Sequence, residues 1–353
     1  MFFTAAMAAL VVAGSAGAQA PVAGVQASAP QPGRLETYKD WTIGCDNRNR
    51  CEAVPLFPED GPIPDNPVMV GIVREAGPDA PAEVWVSRDA RGAGPVSFHV
   101  DGRLVASVQA RDGEATVRGP QAAALAIAMA RGGVLEIRAG NRLLGKPSLA
   151  GSGAALRYMD ARQGRAGTST ALVATGTLGS LAVRAAPSPV TVRRALVPAG
   201  AALAPLWREE LTALGKFTGC AEEMKTAEPP ELNRLSKAET LILVPCGTGA
   251  YNATVVPVIA TGIAGRRAFR LADFDYKPAF GEPGAAFVLV NASWSAERSE
   301  LSSFAKGRGI GDCGSSETYV WDGTRFRLTQ ATAMDECRGA WRWIRTWTAQ
   351  VTQ

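Results

Sequence analysis

Apolar and polar positions alternate in short runs along most of this chain, with turn-forming residues between the runs. In the first half the alternation predicts strands at residues 41–45 and 51–54, then at 68–73, 84–87, 96–100 and 104–110. Asp46-Asn47-Arg48-Asn49-Arg50 is turn material between the first pair, and Asp101-Gly102 suits a two-residue hairpin turn. The period becomes helical at QAAALAIAMA, which follows Pro120 and precedes Gly132-Gly133. A further hairpin, 134–138 with 143–144, turns at Gly140-Asn141. Ser152 can then cap a helix reaching about Gln163, with Leu156 and Met159 facing inward.

In the second half a helix from about Pro205 places Trp207, Leu211 and Leu214 on one face. A second helix is expected over residues 231–237. Strands follow at 240–244, 253–259, 286–290, 317–321 and 325–328. The chain closes on an aromatic strand around 341–351, in which Trp341 and Trp343 would share a face. Between the halves, residues 176–204 exchange patterned sequence for Ala, Pro and Ser. The expected organisation is an N-terminal α+β domain (34–175), a linker (176–204) and a β-rich C-terminal domain (205–353). The fold class is α+β, mostly antiparallel sheet with a few short helices.

Residues 1–18 carry no charge and form an apolar run too short to span a bilayer comfortably, which reads as an export signal cleaved after Ala18. The basic residues that usually open such a signal are absent. A Gly/Pro/Gln/Ala spacer (19–33) follows, and the mature chain has no further stretch long and apolar enough to span a membrane. The expected location is the periplasm or the cell exterior. Six cysteines, Cys45, Cys51, Cys220, Cys246, Cys313 and Cys337, then become disulfide staples. Cys45 with Cys51 follows from the hairpin geometry. Six cysteines allow 15 pairings, and keeping bridges within domains favours Cys220 with Cys246 and Cys313 with Cys337.

Composition removes several function classes. The net charge is +4, and its basic residues are scattered, so no nucleic-acid stripe is visible. With one histidine, His99, and oxidised cysteines, the usual zinc ligand sets and a Cys-His dyad cannot be assembled. His99 lies on the strand face opposite Phe98 and Val100 and has no acid or nucleophile beside it in sequence. Gly309-Ile-Gly311-Asp-Cys-Gly314 satisfies G-x-G-x-x-G, but a bonded cysteine sits inside it and β-structure follows, so a glycine-rich structural loop is expected. Ser303-Phe-Ala-Lys306 satisfies S-x-x-K, yet Ser303 ends a strand-like run rather than starting a helix. Carboxylate chemistry needs no fixed spacing, and Asp273, Asp275 and Asp312 are candidates. Asp273 and Asp275 would share a strand face.

No cofactor and no catalytic constellation is expected. The segment 306–347 has the best claim to a partner, because it joins a glycine-rich charged loop to four tryptophans. Its candidate binding residues are Arg308, Asp312, Trp321 and Trp343, since Arg and Trp anchor interfaces. The same tryptophans would also serve a small β core, and Arg308 with Asp312 would form an ion pair fixing the loop. The reading is a non-catalytic binding or structural protein of the cell envelope with an unidentified envelope or extracellular partner. The alternatives are a carboxylate hydrolase of peptidoglycan or polysaccharide, and an inhibitor or host-contact factor.

Three segments carry a resemblance: DWTIGCDNRNRCEA, YMDARQGRAGTSTALV and KGRGIGDCGSSETYVWDGTRFRLTQATAMDECRGAWRW. They resemble domain of unknown function 1176, a proteobacterial envelope family. That resemblance implies an exported protein and supplies no catalytic residues. The N-terminal half is also distantly similar to the invasion-associated locus B family through its Trp-x-x-x-Cys opening and its helix–hairpin–helix close. This second resemblance implies a surface role in contact with a host.

Overall fold

The computed structural model describes residues 29–59, 61–278 and 287–353. The leader at 1–18 and most of the 19–33 spacer lie outside the described residues. The first six-stranded antiparallel sheet runs β1 (Leu35–Tyr38), β2 (Trp41–Cys45), β3 (Cys51–Pro55), β4 (Met69–Arg74), β5 (Ala82–Ser87) and finally β8 (Ala115–Val117). Beside it stands a four-stranded sheet built from β6 (Ala93–Val100), β7 (Arg103–Arg111), β9 (Leu135–Ala139) and β10 (Arg142–Gly145), in the order β10-β9-β6-β7. Helix α1 (Gly119–Arg131) packs against β5 of the first sheet and β6 and β7 of the second. Its Ala122, Leu125, Ala126 and Met129 form the buried stripe that the helical period predicts. Helix α2 (Ser152–Arg162) crosses β1–β3 and touches α1.

Ser152 does not cap α2. Its hydroxyl donates to the Met129 and Leu149 carbonyls, each at 2.8 Å, and so ties α2 to α1. Gly151 takes the capping position at φ 99°, where a Cβ would lie 1.7 Å from the Tyr38 carbonyl oxygen; only glycine fits.

The second half is a sandwich of two sheets. One runs β12 (Glu231–Arg234), β13 (Glu239–Thr248), β14 (Ala253–Thr261) and β15 (Ala268–Leu271), with β16 (Leu289–Val290) also on β14. The other contains β17 (Ser293–Ser295), β18 (Glu300–Lys306), β19 (Gly314–Trp321), β20 (Phe326–Met334) and β21 (Ile344–Thr352). Leu241, Leu243 and Ile259 of the first sheet meet Leu301, Tyr319, Trp321 and Phe326 of the second. Helix α3 (Arg208–Thr218) covers the outer face of β13 and β14 through Leu214.

Several expectations are corrected here. The segment expected as a helix at 231–237 is the strand β12, because pairing with the edge of β13 satisfies its backbone, whereas so short a helix is marginal in water. Trp207 precedes α3 and is exposed rather than inward. Trp341 and Trp343 precede β21, where Gly339 at φ 76° and the Cys337 bridge interrupt the strand, so the pair does not alternate on a sheet. Asp273 and Asp275 flank an isolated bridge between Phe274 and Phe326 rather than lying in a strand. Residues 176–204 hold a 3-10 turn, Ser180–Ala182, and a strand, β11 (Val190–Arg193), which pairs in parallel with β21 at the edge of the second sandwich sheet.

The disulfides join Cys45 to Cys51, Cys220 to Cys246 and Cys313 to Cys337, the sequential pairing that the domain logic predicts. Among the described residues no helix is long and apolar enough to cross a membrane.

The two halves are fused by a shared apolar cluster: Val54, Leu56, Met69 and Trp85 pack with Cys313, Met334, Ala340 and Ile344. Polar ties surround it. The buried Asp46 carboxylate accepts Arg345 Nε at 2.7 Å and the backbone N–H groups of Arg48 and Arg50. Asn47 and Thr348 exchange two hydrogen bonds, and Arg338 donates to the carbonyls of Phe57 and Lys39 and to Asp40.

Candidate functional site

Residues 307–313 leave β18 and return as β19 in a loop held at every turn. The Gly307 N–H donates to the Cys313 carbonyl at 2.8 Å, and the Gly311 N–H to Arg308 at 3.0 Å. Asp312 is fully buried and accepts from Arg308 Nε and from the Gly339 N–H, both at 2.7 Å. Burial by itself would raise the Asp312 carboxyl; the Arg308 and Gly339 hydrogen bonds outweigh it and hold the group below the ordinary carboxylate value. Gly314 closes the loop at φ 138°, where a Cβ would lie 1.9 Å from the Ala305 carbonyl oxygen. From outside, Trp341 Nε1 donates to the Ile310 carbonyl and the Tyr251 hydroxyl to that of Gly307, each at 3.1 Å.

This rigid loop presents Ile310, 56% exposed, beside Trp341 and Tyr251, which are 39% and 40% exposed. Trp321 is not on that surface. It is fully buried on the inward face of β19, 5.1 Å from the Phe326 ring. Trp343 is half-buried and stacks on Phe304 at 4.7 Å. Of the four residues predicted for the loop, Arg308 and Asp312 bond to each other, while the two tryptophans belong to packing. Arg308→Ala is expected to cost about 1 kcal/mol in urea unfolding, a modest effect because the arginine is partly exposed while Asp312 keeps the Gly339 N–H.

A second feature lies along the inward face of β19. A cavity of about 310 Å³ opens between the segment 32–35 of the first half and β19, β20 and Tyr276 of the second. Ser315 and Glu317 line it, with Thr332 and the exposed Asp335. A neighbouring hollow of about 250 Å³ beside the Cys313–Cys337 bridge shares Ser315 and Asp335, so the two meet. Glu317 is 2% exposed. One carboxylate oxygen accepts the Ser315 hydroxyl at 2.7 Å, and the other has no hydrogen-bond partner. Burial pushes the Glu317 carboxyl up to about 7, against the lowering effect of the Ser315 and Ser303 hydroxyls. Ser303 stands directly opposite on β18, but its hydroxyl is engaged with the Val290 backbone, which leaves the second Glu317 oxygen without a hydrogen bond. Burial and then the Glu317 charge likewise push up the phenols of Tyr276 and Tyr319. Sequence reasoning passed over Glu317. Its signal was present: Glu317, Tyr319 and Trp321 share parity on one strand, an acid in line with core aromatics.

The remaining candidates are accounted for structurally. His99 is half-buried, with Nε2 3.2 Å from the Ser97 hydroxyl. Ser303 is buried within β18 and its hydroxyl bonds to the Val290 backbone; Lys306, three residues on in a strand, faces the opposite way. Both Asp275 oxygens are taken, by Arg327 Nε at 2.7 Å and the Leu328 N–H at 2.8 Å, and Asp273 binds the Phe274 N–H. The described residues contain no cluster of three or more His, Cys, Asp or Glu that could hold a metal ion.

The uncharacterized protein YpfG of Escherichia coli (strain K12) is 26% identical over 325 residues, covering 85% of this chain and 88% of that protein. The crystal structure of invasion associated protein B from Bartonella henselae aligns with 37% of this chain and 99% of its own at 18% identity, with a TM-score of 0.28, a likeness that carries no argument. A family model described as a protein of unknown function, DUF1176, matches residues 35–350, and the chain belongs to that family.

Proposed function

We propose that the protein is exported to the cell envelope and acts there as a non-catalytic binding protein, with the 307–313 loop as its recognition surface. The observation that carries this reading is the outward display of Ile310, Trp341 and Tyr251 from a loop that a disulfide, a buried ion pair and several backbone bonds hold in one shape. A surface ordered in advance loses little conformational entropy on binding, and exposed aromatics with a neighbouring arginine suit an interface core. Three disulfides with no free thiol among the described residues support the oxidising location.

The test has two arms. Osmotic-shock fractionation of cells carrying the natural gene is expected to release the protein with its leader removed. A photo-crosslinking residue placed at Ile310 is expected to form a discrete adduct in the envelope fraction, whereas one at Leu181, 93% exposed on the 3-10 turn Ser180–Ala182, should not. Retention in the cytoplasm, or equal adducts at both positions, would reject this reading.

A further inference from the structure

We propose that the cavity between residues 32–35 and the β19–β20 face is a binding site for a small organic cation, an alkylammonium group, with the Glu317 carboxylate as its anchor. The cavity volume of about 310 Å³ is at the lower end of the range for small-molecule sites, enough for a short amine. Its wall carries a carboxylate oxygen that is buried and lacks a donor. An unpaired buried charge is strongly unfavourable, and a cation supplying an N–H to that oxygen removes the penalty. No protein cation does so. Arg34 is exposed at the rim, and Lys306 lines the adjoining hollow; neither forms an ion pair among the described residues.

The other ionisable groups around the cavity add negative charge or phenols. They are Asp335 at the mouth, its neighbour Glu336, and Tyr276 and Tyr319 beside Glu317. An ammonium group can donate to the free Glu317 oxygen, while Asp335, four residues beyond the cross-strand partner of Glu317 (roughly 13 Å along the strand), adds attraction at the mouth rather than a second acceptor for the same group. A metal ion would demand more oxygen ligands than these side chains provide. The proposal is independent of the loop surface, and substitutions at Ile310 should leave it untouched.

Binding requires the ionised carboxylate, so the site is linked to pH. At pH values below about 7 the ligand must displace a proton from Glu317. Calorimetric titration of the disulfide-intact, full-length protein with 1,4-diaminobutane should show binding at pH 8. The apparent affinity should be roughly 50-fold weaker at pH 5 than at pH 7. The uncharged 1,4-butanediol should not bind at the same concentrations. Glu317→Gln, checked by circular dichroism for a native fold, should weaken diamine binding at least tenfold. Asp335→Asn, at the more tolerant mouth of the cavity, should weaken it severalfold. Absence of diamine binding by folded protein at about 10 mM, tenfold above a millimolar dissociation constant, equal binding of the diol, or diamine binding unchanged in Glu317→Gln would each overturn the proposal.

Discussion

Asp160→Ala is expected to lose about 4 kcal/mol of unfolding free energy, a large share of the stability of a typical domain. Asp160 is fully buried on α2, and its two oxygens accept the backbone N–H groups of Leu172, Val173 and Ala174 at 2.8 to 3.0 Å. Deletion leaves the three donors without their acceptor, one at the buried Leu172 and two at the half-buried Val173 and Ala174. It also removes the negative charge facing two buried cations, Arg74 and Arg165. Burial and then its proximity to Arg165 already bring the Arg74 guanidinium down to about 10. Arg165 is fully buried and donates to the carbonyls of Gly77, Pro78 and Ala80, so it cannot swing out to water. Asp160→Asn keeps one good acceptor and should cost about half as much. Equilibrium urea unfolding with disulfides intact measures both; a loss under about 1 kcal/mol in the alanine variant would mean the loop finds other partners.

The second large effect is a pH dependence set by Glu317. In the unfolded chain its carboxyl titrates near 4.5, and in the folded protein near 7. Below pH 4.5 both states hold the proton and the group is neutral with respect to folding. As pH rises from there the unfolded state releases its proton first, so stability falls, and the loss is complete once pH passes 7. The magnitude is about 3 kcal/mol, because Glu317 is almost fully buried. Glu317→Gln should match the natural protein at pH 4.5 and be about 3 kcal/mol more stable at pH 8. Unfolding midpoints measured across that range for both proteins would expose any failure: parallel curves would show that the carboxyl is solvated or paired in solution. The diamine of the cation proposal should raise the natural protein's midpoint at pH 8 and leave that of Glu317→Gln unchanged.

Much of the local architecture was legible before any coordinates. Short runs of strand-forming apolar residues between turn signals located β4 through β7, and the Pro120 start with the Gly132-Gly133 stop bounded α1, because these features depend on neighbours within a few residues. The Cys45–Cys51 hairpin was legible for the same reason. Local pattern misjudged 231–237, whose strand exists only because the edge of β13 is there to pair with it. It also misjudged Trp341 and Trp343, where a bridge from Cys313 interrupts what reads as a strand. Arg308 and Asp312 stood out in the sequence as a charged pair in a glycine-rich loop, while Trp321 and Trp343 stayed open between core and interface; the fold puts both in packing and exposes Ile310, Trp341 and Tyr251 instead. Parity along a strand says which residues share a face; it does not say whether another sheet covers that face.

By itself, then, the sequence determined an α+β chain of short antiparallel strands with a disulfide hairpin at Cys45–Cys51; the structure settled the pairing of the other four cysteines. Only the tertiary structure decided that β2 and β21 meet. Asp46 and Arg345 stand 299 residues apart in sequence and 2.7 Å apart in the fold. Their contact, the apolar cluster around it and the cavity at Glu317 form where the two halves dock. Docking depends on the shapes and charges of finished surfaces, which no period along the chain encodes.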